Sequence, residues 1–494
     1  MSKKIRLLCL LLALLMVSSL FTACGTNEED VESTNGDTNV NTEEDTDPVE
    51  DALNALRGEV DWGGRDFGVL YVNDIGGYTE EIEASKDVTD ETSSGVINDA
   101  VFERNTLFEE FCNLKLALAP TANGSISSVL ASGVQSGTED FHVVVQTTSA
   151  TANAATGGYL YNFLDLNIDY DQEWWDAGTL SFALDGRVFF MDGPFNIVDD
   201  DVTFVFMFNK ELSAEYQIAN PYDTVKAGEW TLDYFNSVIS KLATENGDGK
   251  WDENDTYGFS TPSSIGNTFF YGAGLQYVVN SSEMDAPELV LSSKMEQALN
   301  VLDIARSIVH ENNSSYVAKP GDEGISKDIF IQGRSLFYCE AASYLRGLNA
   351  NMEKEYGVVP VPKYNKEQEH YTTWRHSIGS TLSIPTSTAK NDMEQFAGVL
   401  EVYCLLSQKL VRPAYYEVML TTRNVQDVES SDMLDLIFQH RTYDMAMYFD
   451  TLGFANLFAD AVSSTGSDFS SKYKSASKTF NSKIGRLLKK LQQS

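Results

Sequence analysis

The chain has 494 residues, of which 73 are acidic and 35 are basic, so its formal net charge at pH 7 is -38. This charge excludes a nucleic-acid binder held by phosphate contacts, because that function requires a basic face. With 43% apolar residues, the chain is long enough to bury two separate cores.

The N-terminus has the pattern of a secretory signal. Basic residues precede an apolar run, residues 7–20, that is too short and wrongly flanked for a membrane-spanning helix. The stretch FTAC at 21–24 then resembles the lipobox of bacterial lipoproteins. We therefore expect residues 1–23 to be removed, and lipid chains on Cys24 to hold the protein on the outer face of a membrane. The alternative is a secreted protein in which Cys24 is incidental.

The segment after Cys24 is acidic and nearly devoid of apolar side chains. We expect residues 24–54 to form a disordered tether, because they cannot bury enough surface to offset the entropy of ordering. Once the signal is lost, the cysteines left besides Cys24 are Cys112, Cys339 and Cys404, with no CxxC motif. Three thiols cannot all pair, so the sequence predicts free, buried cysteines.

Strands and helices alternate from residue 67 onward. Apolar runs at 67–72, 114–118 and 141–145 predict strands, and the stripes at 96–111 and 127–135 predict the helices between them. This β-α-β-α-β order predicts a parallel sheet with helices on both sides.

The alternation restarts in the second half of the chain. Strands are predicted at 188–191, 202–208 and 356–361, and a helix end followed by a strand is predicted at 329–338. A helix stripe runs from Trp230 to Leu242, and Ser293 with Glu296 suggests a capping box for a helix through Val309. From Asn391 the chain is mostly helical and closes with a basic helix at 472–491. The predicted organisation is two α/β lobes and a helical C-terminus.

The usual catalytic motifs are absent from the sequence. There is no GxSxG, HExxH, Walker A or GxGxxG motif, and no two of the five histidines have the spacing of paired metal ligands on a helix. Carboxylate pairs are so common in this acidic chain that they cannot by themselves identify a glycosidase.

One loop, TENGDGKWDEND at 244–255, is similar to a calcium-binding loop of the EF type. Such loops bind through oxygens at positions 1, 3, 5, 7, 9 and 12, with glycine at position 6. The corresponding residues here are Thr244, Asn246, Asp248, Lys250, Asp252 and Asp255. Thr244 stands where Asp is usual, so the loop is interpreted either as a structural calcium site or as a metal-free turn. No cofactor is required in either case.

Several ordered stretches of the chain resemble one protein family. They are FNKE at 208–211, GEWTLDYF at 228–235, GKWDENDTYG at 249–258, GRSLF at 333–337 and YGVVPVPK at 356–363. Together they resemble the maltose-binding-like, family 1 sugar-binding lipoproteins, which are extracellular solute-binding proteins of ABC importers. The resemblance extends over roughly residues 60–450.

The resemblance implies the type II periplasmic-binding-protein fold, in which two lobes, each a mainly parallel sheet flanked by helices, close on a ligand. By analogy, lobe 1 comprises 55–165 and about 326–380, and lobe 2 comprises 166–325 and about 381–494, which includes the C-terminal helices. The analogy places crossings near 158–166, 309–326 and 376–385.

Sugar sites stack aromatic rings on the sugar faces and place polar groups at its edges, in loops at the carboxyl ends of strands. This rule selects Asn73, Asp74, Tyr78, Gln146 and Thr147, and it suggests Trp374 and Arg375 near the last crossing. The element Trp174-Trp175-Asp176 resembles a WWD element of the family. The candidate ligand-binding residues are therefore Asn73, Asp74, Tyr78, Gln146, Thr147, Trp174, Trp175, Trp374 and Arg375.

Two functions from different classes remain open at this point. The resemblance implies a non-catalytic, monomeric receptor that delivers an extracellular carbohydrate to ABC transporter permease subunits. The alternative is a surface-anchored enzyme that acts on polysaccharide through two carboxylates. A third possibility is the same receptor fold with a non-sugar ligand, such as a peptide or a polyamine.

Overall fold

The structure is a computed structural model, and it describes residues 48–56, 60–84, 93–280, 287–311, 313–422, 425–426, 428–449, 452–464, 466 and 468–491. The strands in chain order are β1 (Asp66–Val72), β2 (Lys115–Thr121), β3 (Val143–Thr147), β4 (Phe190–Met191), β5 (Phe204–Asn209), β6 (Tyr257–Pro262), β7 (Val278–Asn280), β8 (Pro287–Leu289), β9 (Ser315–Ala318), β10 (Ser335–Ala341), β11 (Tyr356–Val359), β12 (Thr373–Trp374), β13 (Ser380–Ser383), β14 (Thr421–Thr422), β15 (Val425–Gln426) and β16 (Arg441–Thr442).

The helices in chain order are α1 (Pro48–Ala55), α2 (Tyr78–Ile82), α3 (Ser93–Phe111), α4 (Asn123–Ser136), α5 (Thr148–Thr156), α6 (Ile197–Asp201), α7 (Lys210–Glu215), α8 (Pro221–Lys226), α9 (Leu232–Ile239), α10 (Ile265–Gly272), α11 (Met295–His310), α12 (Glu323–Ile331), α13 (Tyr344–Asn351), α14 (Met393–Leu406), α15 (Arg412–Leu420), α16 (Val428–Gln439), α17 (Met445–Tyr448), α18 (Leu457–Ser463) and α19 (Phe469–Leu491). No helix within the described ranges is both long enough and apolar enough to cross a membrane.

The first sheet has the strand order β2-β1-β3-β13-β4. Strand β1 pairs in parallel with both β2 and β3, as the β-α-β-α-β pattern predicts. Strand β13 is antiparallel to both β3 and β4.

The second sheet has the order β11-β5-β10-β6-β9 and is mixed in the same way. Strand β6 is parallel to β9 and β10, whereas β5 is antiparallel to β10 and β11. Aromatic rings fill the core beside it: Phe206 stacks on Phe259 with ring centroids 5.5 Å apart, and Trp230 donates a 2.8 Å hydrogen bond to the carbonyl of Pro360. Two α/β lobes are therefore present, although each sheet holds as many antiparallel as parallel pairings.

Sheet membership differs from the lobe boundaries that the sequence predicted. Strands β10 and β11 fall in the 326–380 range assigned to lobe 1, yet both belong to the second sheet. Strand β4, at 190–191, lies in the first sheet, so the chain has not crossed near 158–166. That stretch instead packs on the first lobe, where Phe163 is fully buried. The order of elements alone did not fix where the chain passes from one sheet to the other.

Two local predictions were also wrong. The end of the predicted tether, residues 48–54, belongs to α1, whose Leu53 is buried against the first lobe. The capping box is not formed, because Ser293 lies in a 3-10 turn and donates to the carbonyl of Val290 at 2.7 Å. That turn leads directly into α11. The three cysteines Cys112, Cys339 and Cys404 are free and buried, as predicted.

The loop at 244–255 is held together by its own backbone amides. The buried carboxylate of Asp255 accepts from the amides of Asn246 at 2.9 Å and Asp252 at 2.7 Å. The exposed Asp248 accepts from the amide of Lys250 at 2.8 Å. Within the part of the chain that the structure describes, no group of three or more His, Cys, Asp or Glu side chains is arranged to hold a metal. Calcium binding at this loop therefore stays a hypothesis.

We predict that Asp255→Ala lowers the free energy of unfolding by about 1–3 kcal/mol, because two backbone amides lose a buried acceptor. Urea unfolding after EDTA treatment measures the effect, and Asp248→Ala in the same loop is the control. Equal losses in both variants would contradict this role of Asp255. A rise in melting temperature with added CaCl2, present in the wild type and lost in Asp255→Ala, would establish the calcium alternative.

A buried carboxylate in the second sheet makes stability depend on pH. Burial raises the pKa of Glu340 from its ordinary value of 4.5 to about 7. Its only polar contact in the described structure is with the amide of Ala341, which its Oε1 accepts at 2.9 Å. Between those two pH values the folded chain holds a proton that the unfolded chain releases, so stability falls as pH rises through this window.

We predict that Glu340→Gln flattens the decline in unfolding free energy between pH 4.5 and pH 7. Above pH 7 the variant should be more stable than the wild type by up to about 3 kcal/mol, since each tenfold difference in proton affinity between the folded and unfolded chains corresponds to about 1.4 kcal/mol. Urea unfolding at a series of pH values measures both profiles. The exposed Glu353→Gln serves as the control, and parallel profiles for all three proteins would contradict the assignment.

Candidate functional site

Two segments connect the sheets and lie side by side. The first, residues 192–203, leads from β4 to β5 and contains α6. The second, residues 375–379, leads to β13 of the first sheet from β12, which pairs with β16 and packs on β5 of the second sheet. An antiparallel bridge between Thr203 and Arg375 joins the two. We refer to them as the crossing segments.

Buried ion pairs fasten the crossing segments together. The guanidinium of Arg375, which is fully buried, pairs with Asp192 at 2.5 Å and with Asp199 at 2.7 Å. Arg441 of β16 pairs with Asp199 at 2.7 Å and with Asp200 at 2.6 Å. Burial raises the pKa of Asp192 and Asp199, and the positive charge of Arg375 opposes that rise. The positions of the two sheets thus depend on guanidinium groups shared among several carboxylates.

Helix α2, which follows β1, is attached to both crossing segments. Glu81 is fully buried and accepts from the amide of Val198 at 3.0 Å and the hydroxyl of Ser380 at 3.1 Å. The hydroxyl of Tyr78 donates to the carbonyl of Ile378 at 2.7 Å. The turn before α2 requires glycine at 77, where φ is +87° and a Cβ would lie 2.9 Å from Val198 Cγ2. The orientation of α2 is therefore fixed.

A cavity of about 750 Å³ lies where α2 and its preceding loop face α13 of the second lobe. The salt bridge from Glu80 to Arg346, at 2.6 Å, joins its two sides. Arg346 also pairs with Asp201 of α6 at 3.2 Å. The polar residues that line this interlobe cavity are Asn73, Asp74, Thr79, Glu80, Glu83, Asn98 and Arg346.

The lining of the interlobe cavity is rich in hydrogen-bond acceptors. It has three carboxylates against one guanidinium, and none of its described lining residues is aromatic. Asp74 accepts from the amide of Asn123 at 2.7 Å, and Glu83 accepts from the hydroxyl of Tyr71 at 2.6 Å. Each carboxylate retains further lone pairs for a ligand. The cavity can therefore bind a ligand that donates several hydrogen bonds.

Two of the candidate ligand-binding residues, Asn73 and Asp74, line the interlobe cavity. The polar residues Gln146 and Thr147 are buried at the end of β3, and Thr147 caps α5 by accepting from the amide of Ala150 at 3.3 Å. Tyr78 and Arg375 hold the crossing segments as described above. Tyr78 and Arg375 are therefore committed to positioning the lobes.

The candidate tryptophans pack in the protein interior. Trp374 stacks on Phe204 with ring centroids 4.6 Å apart, and its indole nitrogen donates to Thr268 at 3.0 Å. Trp175 is buried against Phe195 at 5.6 Å. Trp174 is also buried and borders a separate groove of about 530 Å³ formed with α1 and α14. The structure does not bring these rings to the interlobe cavity.

Among the polar residues of the interlobe cavity, sequence reasoning missed Thr79, Glu80, Glu83, Asn98 and Arg346. The rule that selects residues after a strand would have reached Glu80 and Glu83 if it had been extended through α2. Arg346 has no local signal, because its importance depends on a salt bridge between residues 266 positions apart. Its role could be seen only once the second lobe was placed opposite the first.

Comparisons with known proteins gave matches among solved structures. No family model matches the chain, and no curated protein matches it. One similar structure is an ABC substrate-binding protein from Listeria monocytogenes in complex with cycloalternan, with a TM-score of 0.52, 12% identity, and coverage of 85% of this chain and 99% of that chain.

Two further structures resemble the chain to a similar degree. A cyclo/maltodextrin-binding protein complexed with maltotetraose has a TM-score of 0.54, 12% identity, and coverage of 84% and 97% of the two chains. UgpB from Mycobacterium tuberculosis, in complex with glycerophosphocholine, has a TM-score of 0.50, 16% identity, and coverage of 80% and 97%. At these identities the likeness concerns the fold: this chain has the two-lobed α/β fold of the maltose-binding-like solute-binding proteins.

Proposed function

We propose that the chain is a substrate-binding lipoprotein that captures an extracellular carbohydrate, most simply an oligosaccharide, and delivers it as a monomer to an ABC transporter permease. The interlobe cavity carries this proposal, because the first lobe contributes carboxylates and amides to it and the second lobe contributes Arg346. Its carboxylates and amides match the hydroxyl donors of a sugar. Structures of the same fold hold cycloalternan and maltotetraose.

Ligand binding in this cavity would be coupled to lobe position. A sugar that bonds to Glu83 on the first lobe and to Arg346 on the second interacts with both only when the two surfaces face each other. Such a ligand stabilises the closed arrangement by its differential affinity for that state. The permease would then distinguish the loaded receptor by its shape. The proposal requires binding without turnover, so the sugar should be recovered unchanged.

A second candidate ligand class follows from the acidity of the cavity. Three carboxylates face one guanidinium, and no aromatic ring among the described lining residues is available for stacking on a sugar. This lining also suits a ligand with amino groups, such as a polyamine. Spermidine therefore belongs in the same binding screen as the sugars.

We predict that Glu83→Ala raises the dissociation constant for the ligand by about tenfold or more, since a hydrogen bond to a charged group contributes about 1.5–3 kcal/mol. The full chain in detergent would be screened by thermal shift against saccharides, and affinities then measured by calorimetry. Glu103→Ala on the exposed side of α3 is the matched control.

Glu83→Gln distinguishes loss of the contact with the ligand from a folding defect, because the glutamine keeps an oxygen that accepts the hydrogen bond from Tyr71. An unchanged affinity in both Glu83 variants would place the ligand elsewhere. Binding of spermidine with no binding of any saccharide would show that the ligand is a polyamine and not a carbohydrate. Release of a shortened sugar would show that the protein is an enzyme and not a receptor.

The membrane anchor is a proposal from the sequence, because residues 1–47 lie outside the described residues. We predict that Cys24→Ser moves the protein from the membrane fraction to the medium of the producing cells, since the lipid chains are lost. Immunoblotting of the two fractions measures this, and Cys112→Ser is the control at a buried thiol. Retention of the Cys24→Ser protein in the membrane would contradict lipidation at this residue.

A further inference from the structure

A further pocket, of about 490 Å³, lies between α5 and the C-terminal helix α19. Helix α19 contributes Lys483, Arg486 and Lys490 to its lining. None of the residues of the interlobe cavity takes part in it. We refer to it as the α5–α19 pocket.

The charge of this pocket is opposite to that of the protein. The whole chain has 73 acidic and 35 basic residues, yet α19 carries seven basic residues and no acidic one. Three of these seven line the pocket, and no Asp or Glu is among its described lining residues. Within the described ranges, none of the three forms an ion pair with a carboxylate. Three like charges at one pocket repel one another unless an anion lies between them.

The opposite wall of the pocket offers neutral hydrogen-bond groups. Ser149, Asn153 and Thr156 line it from α5, and their spacing of four and three residues places them on one helix face. Hydroxyl and amide groups can donate to the oxygens of a carboxylate or a phosphate. Buried Tyr448 and Phe449 border the same space, so a ligand also meets aromatic side chains there.

Some of the basic groups are already positioned. Lys483 is half-buried, and its ammonium donates to the carbonyl of Leu452 at 2.8 Å. Arg486 is exposed, and its Nε donates to the carbonyl of Ser482 on the same helix at 3.3 Å, which leaves its terminal nitrogens for a ligand. A guanidinium held in this way can donate two parallel hydrogen bonds to one anionic group.

We infer that the α5–α19 pocket binds a small polar anion, a molecule with a carboxylate or phosphate group such as a uronate or a sugar phosphate. Helix α5 follows β3 of the first sheet, while α19 packs on α18, which packs on α10 and α11 of the second lobe. An anion in the pocket thus contacts elements of both lobes. This site goes beyond the proposed function and rests on different residues.

The test compares two double variants of α19 with the same change of charge. Arg486→Gln with Lys490→Gln removes two exposed cations that line the pocket, and Lys474→Gln with Lys478→Gln removes two exposed cations of the same helix that lie outside it. Calorimetry on the full chain uses glucuronate and inorganic phosphate as probes, with glucose as the neutral counterpart of glucuronate.

We expect the pocket variant to weaken binding of the anions by about tenfold, and the control variant to change it by less than about twofold. Added NaCl should weaken anion binding to the wild type, and glucose should not bind at the pocket. Tighter binding of glucuronate would indicate a carboxylate ligand such as a uronate, and tighter binding of phosphate would indicate a ligand such as a sugar phosphate. Failure of the wild type to bind either anion, or equal losses in both variants, would overturn the inference. Glu83→Ala should leave anion binding unchanged, so the two sites can fail independently.

Discussion

The arrangement of this protein depends on guanidinium groups buried between aspartates at the crossing segments. Arg375 and Arg441 share Asp199; Arg375 also pairs with Asp192, and Arg441 also pairs with Asp176 and Asp200. Removal of one partner from such a buried set typically costs about 3–5 kcal/mol, because the remaining charge is left uncompensated. The lobes are therefore positioned by an electrostatic network that works only when all its members are present.

The shape of the interlobe cavity depends on that network, because α2, which lines the cavity, is attached to the crossing segments. Glu81 and Tyr78 attach α2 to the crossing segments, and this places Glu80 opposite Arg346. Arg346 in turn pairs with Asp201 of the first crossing segment. Arg346, which a ligand in the cavity would contact, therefore pairs directly with a residue of a crossing segment. A bound ligand and the positions of the lobes can influence each other through this contact.

The sequence predicted the architecture well because periodicity and order are local properties. The β-α-β-α-β start, the strands at β5, β10 and β11 and the terminal helix α19 can all be inferred from apolar spacing. The crossings could not be inferred in this way, because strands such as β4 and β13 are two to four residues long and their sheet is decided by distant partners. Length and pattern do not specify which of two sheets a short strand joins.

The sequence predicted only part of the candidate site, because some of its residues are defined by local order and others by distant contacts. Asn73 and Asp74 were found because polar residues after a parallel strand lie at a sheet edge, whatever the rest of the fold does. Trp374 and Arg375 were selected by residue type, but a large ring or a guanidinium near a crossing also serves to fill or fasten it. Only tertiary packing distinguishes these uses, as the stacking of Trp374 on Phe204 shows. The acidic lining of the cavity likewise has no signature in the sequence.

The most direct measurement is a crystal structure of the full chain with the saccharide that gives the largest thermal shift. The account predicts an intact sugar in the interlobe cavity, within hydrogen-bonding distance of Glu83 on one lobe and Arg346 on the other. A sugar bound instead in the groove beside Trp174, or a cleaved sugar in the cavity, would contradict the account.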